Sequence, residues 1–260
     1  MTDVRFVLRS EWIKFWSVRS TWWLLGAAVL PALSFGLLTA LMTDAAEAAA
    51  LPKAWRVAEG GFDPLRPLQG VVLAQFAFGV LGVLTITAEH STGLIRSSLV
   101  AVPQRRRLLA AKLAVLLAVV AAVATALTFG TFLLAQAAYP DGLAIGPGEG
   151  GAWKALLGTV AYTTFIAAIG FAVGAAVRGT GAAMSTFVFL TFVVMNALPA
   201  IFPSALRTNV ADYSFIGLAQ SLTTLRPEPR PGMLVAALLL VCYTAMALTP
   251  AMLLAERRDA

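Results

Sequence analysis

Six stretches of this chain contain no Asp, Glu, Lys, Arg or His: Trp22 to Met42, Gln69 to Ala88, Leu113 to Ala135, Ala155 to Val177, Gly181 to Ile201 and Met233 to Leu254. Each is about as long as the ~20 helical residues that cross ~30 Å of hydrocarbon. Nothing constrains the fold more strongly, because in lipid every backbone polar group must be satisfied inside the segment, which leaves helices or a closed barrel. A barrel requires segments of about 10 residues with alternating polarity, and the blocks do not alternate. Only 12% of the 260 residues are charged and 59% are hydrophobic, with a mean hydropathy of +0.83, whereas a soluble domain carries about 25% charged residues. Disorder, collagen and coiled coil are excluded on the same grounds. The expected fold class is an all-α integral membrane protein with six transmembrane helices.

The charges are informative through their placement. With six spans both termini share a side, and that side carries 12 basic residues against 5 acidic ones, a net of +7. The other side has 7 basic and 8 acidic residues. The positive-inside rule therefore puts both termini in the cytoplasm, and the overall charge of +6 reads as a topology signal, with no nucleic-acid partner expected. Pro31 is expected to bend the first span or open its hydrogen bonding. The alanines at 45, 46, 48, 49 and 50 superficially offer a signal-peptidase site, but the preceding apolar block is too long for a signal peptide. One cysteine, Cys242, and one histidine, His90, offer no disulfide framework, no metal site and no His-based proton relay.

Two basic segments are candidates for function. The first, DVRFVLRSEWIKFWSVRSTWW, places Val4, Val7, Leu8, Trp12, Phe15 and Trp16 at helical spacing, with Arg5, Arg9, Ser10, Lys14 and Ser17 largely elsewhere. It reads as an interfacial amphipathic helix on the inner leaflet, its tryptophans at headgroup depth and its bases toward anionic lipid. Phe6 and Ile13 blur its apolar face. A plain basic, aromatic flank orienting the first span accounts for the same residues. The second segment, EHSTGLIRSSLVAVPQRRRLLAAK from Glu89 to Lys112, is longer than a turn between helices requires. Ser91 or Thr92 can cap a short helix, Ile95, Leu99 and Val102 line one face, and Pro103 ends it. Glu89 at the end of a span would cost about 2.5 to 3.5 kcal/mol at mid-bilayer, so it should sit at the interface and pair with Arg96 or another base. Arg105, Arg106 and Arg107, taken alone, also suit a stop-transfer anchor.

Together these two segments resemble those of the permease subunits of type-2 ABC exporters, particularly the short six-span permeases of high-GC Gram-positive bacteria. The resemblance implies a bacterial cell-membrane protein divided into an elbow helix over 1–21, a transmembrane domain over 22–254 and a cytoplasmic tail over 255–260. It matches Glu11, Lys14, Arg19 and Trp22 to the elbow helix. Glu89, Gly93, Ile95, Arg96, Leu99 and Pro103 match the coupling helix that docks on an ATPase. Arg105, Arg106, Arg107 and Lys112 become the cytoplasmic anchor leading into the third span. It further implies an ABC ATPase subunit and a second permease chain as partners, with ATP and Mg held by the ATPase and no cofactor in this chain. Short re-entrant helices are expected within 203–231. None of the four lysines follows a glycine, so no Walker A pair exists and the chain is not expected to hydrolyse ATP.

Within the bilayer, Gly170 and Gly174 form a G-x-x-x-G suited to close helix approach, and Asn196 is a buried amide expected to satisfy a neighbouring helix. Spans without ionisable groups argue against a secondary transporter, which moves ions by intramembrane carboxylates or bases. They argue equally against an intramembrane enzyme, which needs a nucleophile with its base or a metal with its ligands. A non-transporting immunity or scaffold role stays open at this point.

Overall fold

The computed structural model describes residues 4–43, 63–92, 104–140, 143–177, 179–194, 201–203, 206, 210–223 and 231–257. All regular structure among them is helical. Helix α1 (Val4–Ser17) is followed by α2 (Arg19–Leu41), a 3-10 turn (Arg66–Leu68), α3 (Gln69–Leu73) and α4 (Gln75–Thr92). Then come α5 (Arg105–Ala138), α6 (Ala152–Ala176), α7 (Thr180–Val188) with a π turn (Phe189–Val194), α8 (Phe215–Thr223) and α9 (Met233–Arg257).

Five helical stretches are long and apolar enough to cross a membrane: Arg19–Leu41, Arg66–Glu89, Arg105–Ala138, Ala152–Ala176 and Met233–Leu253. They coincide with five of the six predicted spans. The sixth, Gly181 to Ile201, is described as helix only over Thr180–Val194, shorter than a crossing requires. Residues 195–200, Asn196 among them, lie outside the described residues. Pro31 sits inside α2 and the helix continues past it.

Helix α6 is the central element: 72% of its apolar stretch is buried, against 28% for α2 and 17% for α9, which turn most of their surface outward. Its neighbours are α4, α5, α8 and α9. The α4–α6 crossing is built from glycines. A Cβ on Gly170 would fall into the carbonyl of Gly79, one on Gly82 into the carbonyl of Ala167, and one on Gly174 within 2.7 Å of the Val83 carbonyl oxygen. Small residues let membrane helices approach at backbone distance and gain dispersion contacts, since lipid supplies no hydrophobic drive between helices. The G-x-x-x-G of α6 thus faces α4 of the same chain.

Around this crossing, Phe187 covers Gly79, and Tyr162 donates a hydrogen bond to Gln75 between α6 and α4. Helix α8, within the segment expected to hold short re-entrant helices, buries Phe215, Leu218, Ala219 and Leu222 in a cluster with Tyr162 and Ile166. At the end opposite the N-terminus, Gln136 ties two connectors together: its Nε2 donates to the Pro64 carbonyl at 3.0 Å and its Oε1 accepts from the Ile145 N–H at 2.8 Å.

Candidate functional site

The described residues place two lysines and two glutamates against one another at the end of the bundle that holds the N-terminus. Lys112 Nζ lies 2.6 Å from Glu11 Oε2 and 2.5 Å from Glu89 Oε1. Lys14 Nζ lies 2.8 Å from Glu11 Oε1 and 3.4 Å from Glu89 Oε1. Three chain segments meet there: the middle of α1, the last turns of α4 and the third turn of α5. The formal charges cancel, so the group can be enclosed. The Lys112 and Glu11 side chains are each only 3% exposed and Glu89 10%, while Lys14, at 40%, forms the wet edge.

Local sequence explains the arrangement. Val7, Glu11 and Phe15 recur every four residues and form the buried stripe of α1, with the carboxylate between two apolar contacts. Val7 packs with Leu108 and Ala111 on α5, and Phe15 joins the cluster containing Leu109, Val115 and Leu116. Helix α1 therefore runs along the first turns of α5, which brings Glu11 opposite Lys112. Helix α5 has 34 residues, or ~50 Å at 1.5 Å per residue, well beyond the ~30 Å hydrocarbon core. The surplus lets its charged first turns stand outside the apolar layer with α1 beside them.

The break between α1 and α2 is held as firmly. Val18 is extended (φ −88, ψ 123), and carbonyls near the end of α1 accept from α2 side chains. The Thr21 hydroxyl donates to Phe15 O at 2.9 Å, and Trp22 Nε1 donates to Trp16 O at 3.2 Å, with the Trp16 and Trp22 ring centroids 4.9 Å apart. These side chains satisfy groups a helix end leaves without intrahelical partners.

A cleft of about 60 Å³ opens beside the cluster, its apolar wall formed by Phe15, Leu81, Leu84 and Val115 and its polar floor by the four ionic residues. Burial in this setting works against the Lys14 ammonium. The hydrogen bond to Glu11 and the charge of Glu89 outweigh it, so the Lys14 pKa is raised above its usual value. A raised pKa means that the charged lysine favours the folded arrangement: this contribution is complete below the ordinary lysine range and is lost as pH climbs through the raised value. Neutral and mildly acidic buffers should therefore leave the Lys14 contact intact, and loosening of α1 should begin only in strongly alkaline buffer. Hydrogen exchange of α1 amides across an alkaline pH series, corrected for the intrinsic rate, checks this.

Of the residues singled out from sequence, the structure joins Glu11 and Lys14 of the elbow segment to Glu89 and Lys112 of the second basic segment. Glu89 finds its base in Lys112 and Lys14. Lys112 differs from the rest of the anchor group. Arg106 and Arg107 are exposed and Arg105 partly so, whereas Lys112 is enclosed as the counter-ion of two carboxylates. Arg19 and Trp22 are exposed at the start of α2. Gly93, Ile95, Arg96, Leu99 and Pro103 lie outside the described residues, as does Asn196. The Glu11–Lys112 pairing spans 101 positions and has no local signature, although a carboxylate in the middle of an apolar stripe is a hint that it has a buried partner.

Comparison with protein-family models and with curated proteins yields no match. The functional reading therefore rests on the two basic segments and on this geometry.

Proposed function

We propose that this chain is the membrane-spanning permease subunit of an ATP-driven ABC exporter of the type-2 kind, with six spans and both termini in the cytoplasm. The observation that carries the reading is the ion cluster. It bonds α1 to the end of α4 and the first turns of α5, on either side of residues 93–103, within the Glu89–Pro103 segment that resembles a coupling helix and just beyond it. A partner ATPase docking on 93–103 would push on the end of α4 and the start of α5 together. Because Lys112 holds Glu11 as well as Glu89, α1 would move with them, and α2, which follows after a single extended residue, would be carried along.

In this reading ATP and Mg belong to the ATPase, and this chain's own task is to change shape. A second permease chain, identical or related, would complete the path, and the apolar spans suit a hydrophobic or amphipathic cargo such as a drug, lipid or peptide. A role in multidrug or antibiotic resistance would follow from such cargo. The test is co-purification with a Walker A-bearing ATPase encoded by a neighbouring reading frame, followed by ATP hydrolysis in lipid. Wild type should retain the ATPase and alter its turnover, and Ile95→Asp with Arg96→Glu should release it. Retention unchanged by both substitutions would refute docking at 93–103. A bound ATPase whose turnover does not respond to any amphipathic compound would favour the immunity or scaffold role. Glu11→Gln should leave the ATPase bound but reduce transport several-fold, since it cuts α1 from the cluster without touching 93–103.

A further inference from the structure

Helix α1 has a second face. With Val7, Glu11 and Phe15 turned toward the bundle, Phe6, Arg9 and Ile13 fall on the far side at i, i+3 and i+7, a single stripe along the helix. Phe6 is 70% exposed and Ile13 60%. The two residues that blur the apolar face in the sequence thus form an apolar stripe of their own, with a guanidinium between them. Val7 meets Leu108 and Ala111 on the opposite face of α1, so the basic first turn of α5, where Arg107 is exposed, lies across the helix from this stripe. Helix α1 and the first three turns of α5 contain one acidic residue, Glu11, and it is buried against lysines. The outward surface of this pair of helices is therefore cationic and apolar together.

Neither water nor hydrocarbon suits such a surface, since water leaves Phe6 and Ile13 unburied and hydrocarbon strips the guanidinium. The headgroup layer of a bilayer supplies both partners: phosphodiester oxygens matching the planar donor fork of arginine, and an acyl boundary for the apolar side chains. Depth agrees. Helix α2 enters the apolar layer one turn after α1 ends, Trp22 and Trp23 are exposed in its first turn, and Trp22 stacks on Trp16 of α1, so α1 lies beside an aromatic belt.

We propose that the Phe6–Arg9–Ile13 stripe is a recognition surface for anionic phospholipid headgroups, so that lipids are selected here by charge. The inference stands on the membrane-protein fold and is independent of ATP-driven export.

The test uses the full chain in nanodiscs made from a mixture of phosphatidylcholine and phosphatidylglycerol. The lipids held by the protein are counted by native mass spectrometry after gentle release. Wild type should enrich phosphatidylglycerol over the bulk ratio. At about five-fold per basic residue near an anionic surface, Arg9→Gln should remove much of the enrichment, Arg107→Gln alone less, and Arg9→Gln with Arg107→Gln at least as much as Arg9→Gln. Molar salt, which shrinks the screening length to about 3 Å, should do the same to wild type. Phe6→Ser with Ile13→Ser should lower the total lipid retained while keeping the preference for phosphatidylglycerol. All four side chains are exposed, so helicity and elution should match wild type, and circular dichroism checks it. Equal enrichment in wild type and the double arginine variant would overturn the proposal. So would displacement of the lipid by millimolar inorganic phosphate, which would indicate a soluble-anion site, or an unselective wild type, which would leave the arginines to an acidic protein surface.

Discussion

Lys112→Met should strongly lower the stability of the folded protein. Methionine keeps the length and apolar stem of the lysine, so the change is in charge more than in shape. It leaves two enclosed carboxylates, Glu11 and Glu89, facing the half-exposed Lys14 without their shared enclosed counter-ion. Removing one partner of a buried ionic group costs about 3–5 kcal/mol, because the remaining charge keeps its desolvation penalty and loses its compensation. Against a whole stability of about 5–15 kcal/mol for a typical domain, that is a large share. The measurement is thermal unfolding in detergent, followed by the monodisperse fraction on size exclusion.

The same reasoning predicts a rescue. Lys112→Met combined with Glu11→Gln and Glu89→Gln replaces the ionic cluster by neutral groups and should recover most of the lost stability, since a buried ionic group is often no better than a neutral one of similar volume. If the triple variant is as unstable as the single one, Lys112 acts through packing. If the single variant melts like wild type, the cluster does not hold α1. Lys112→Arg should fall between, because a guanidinium is broader than an ammonium and donates from a fixed plane. If the chain is the proposed permease, the rescued protein would also separate folding from coupling: a stable chain with α1 less firmly tied should bind the proposed ATPase partner and transport poorly.

How much of this site was legible in the sequence depends on the range of each signal. The spans are local and long, and five of the six stand where uninterrupted apolar runs place them. The need of Glu89 for a base followed from the cost of a carboxylate at a span end, and that cost does not depend on the fold. Which base it takes does depend on the fold. Lys112 is twenty-three residues away in sequence, and its place beside Glu89 follows from α5 starting at Arg105 and carrying its third turn past the end of α4. Glu11 was legible only as a polar position of the elbow-like segment. Its partner became visible once α1 was seen to run along α5. The two sides of α1 separate for the same reason: Val7 and Phe15 are used up by the bundle, which leaves Phe6 and Ile13 outward.

Gly170→Ala should be nearly as damaging as Lys112→Met, although it adds a single methyl group. The Cβ would meet the carbonyl, carbon and Cα of Gly79, all of them backbone, so no side-chain rotation can make room and α4 and α6 must separate. Overpacking of a well-packed core costs about 1–3 kcal/mol, and a backbone clash at the crossing through the central helix belongs at the upper end or beyond it. Gly26→Ala and Gly130→Ala are the matched controls. Nothing lies within 4 Å of the added carbon at either position, and in a helix alanine is favoured over glycine by up to about 1 kcal/mol, so both should be neutral or slightly stabilising. Melting temperatures of the three variants in one detergent check the contrast. Oligomeric state measured on the same samples separates two uses of a G-x-x-x-G. If the motif joined two copies of the chain, Gly170→Ala would dissociate an oligomer and leave each copy folded. Because Gly170 already has Gly79 of its own chain against it, the loss should appear instead as unfolding of the single chain, at any protein concentration.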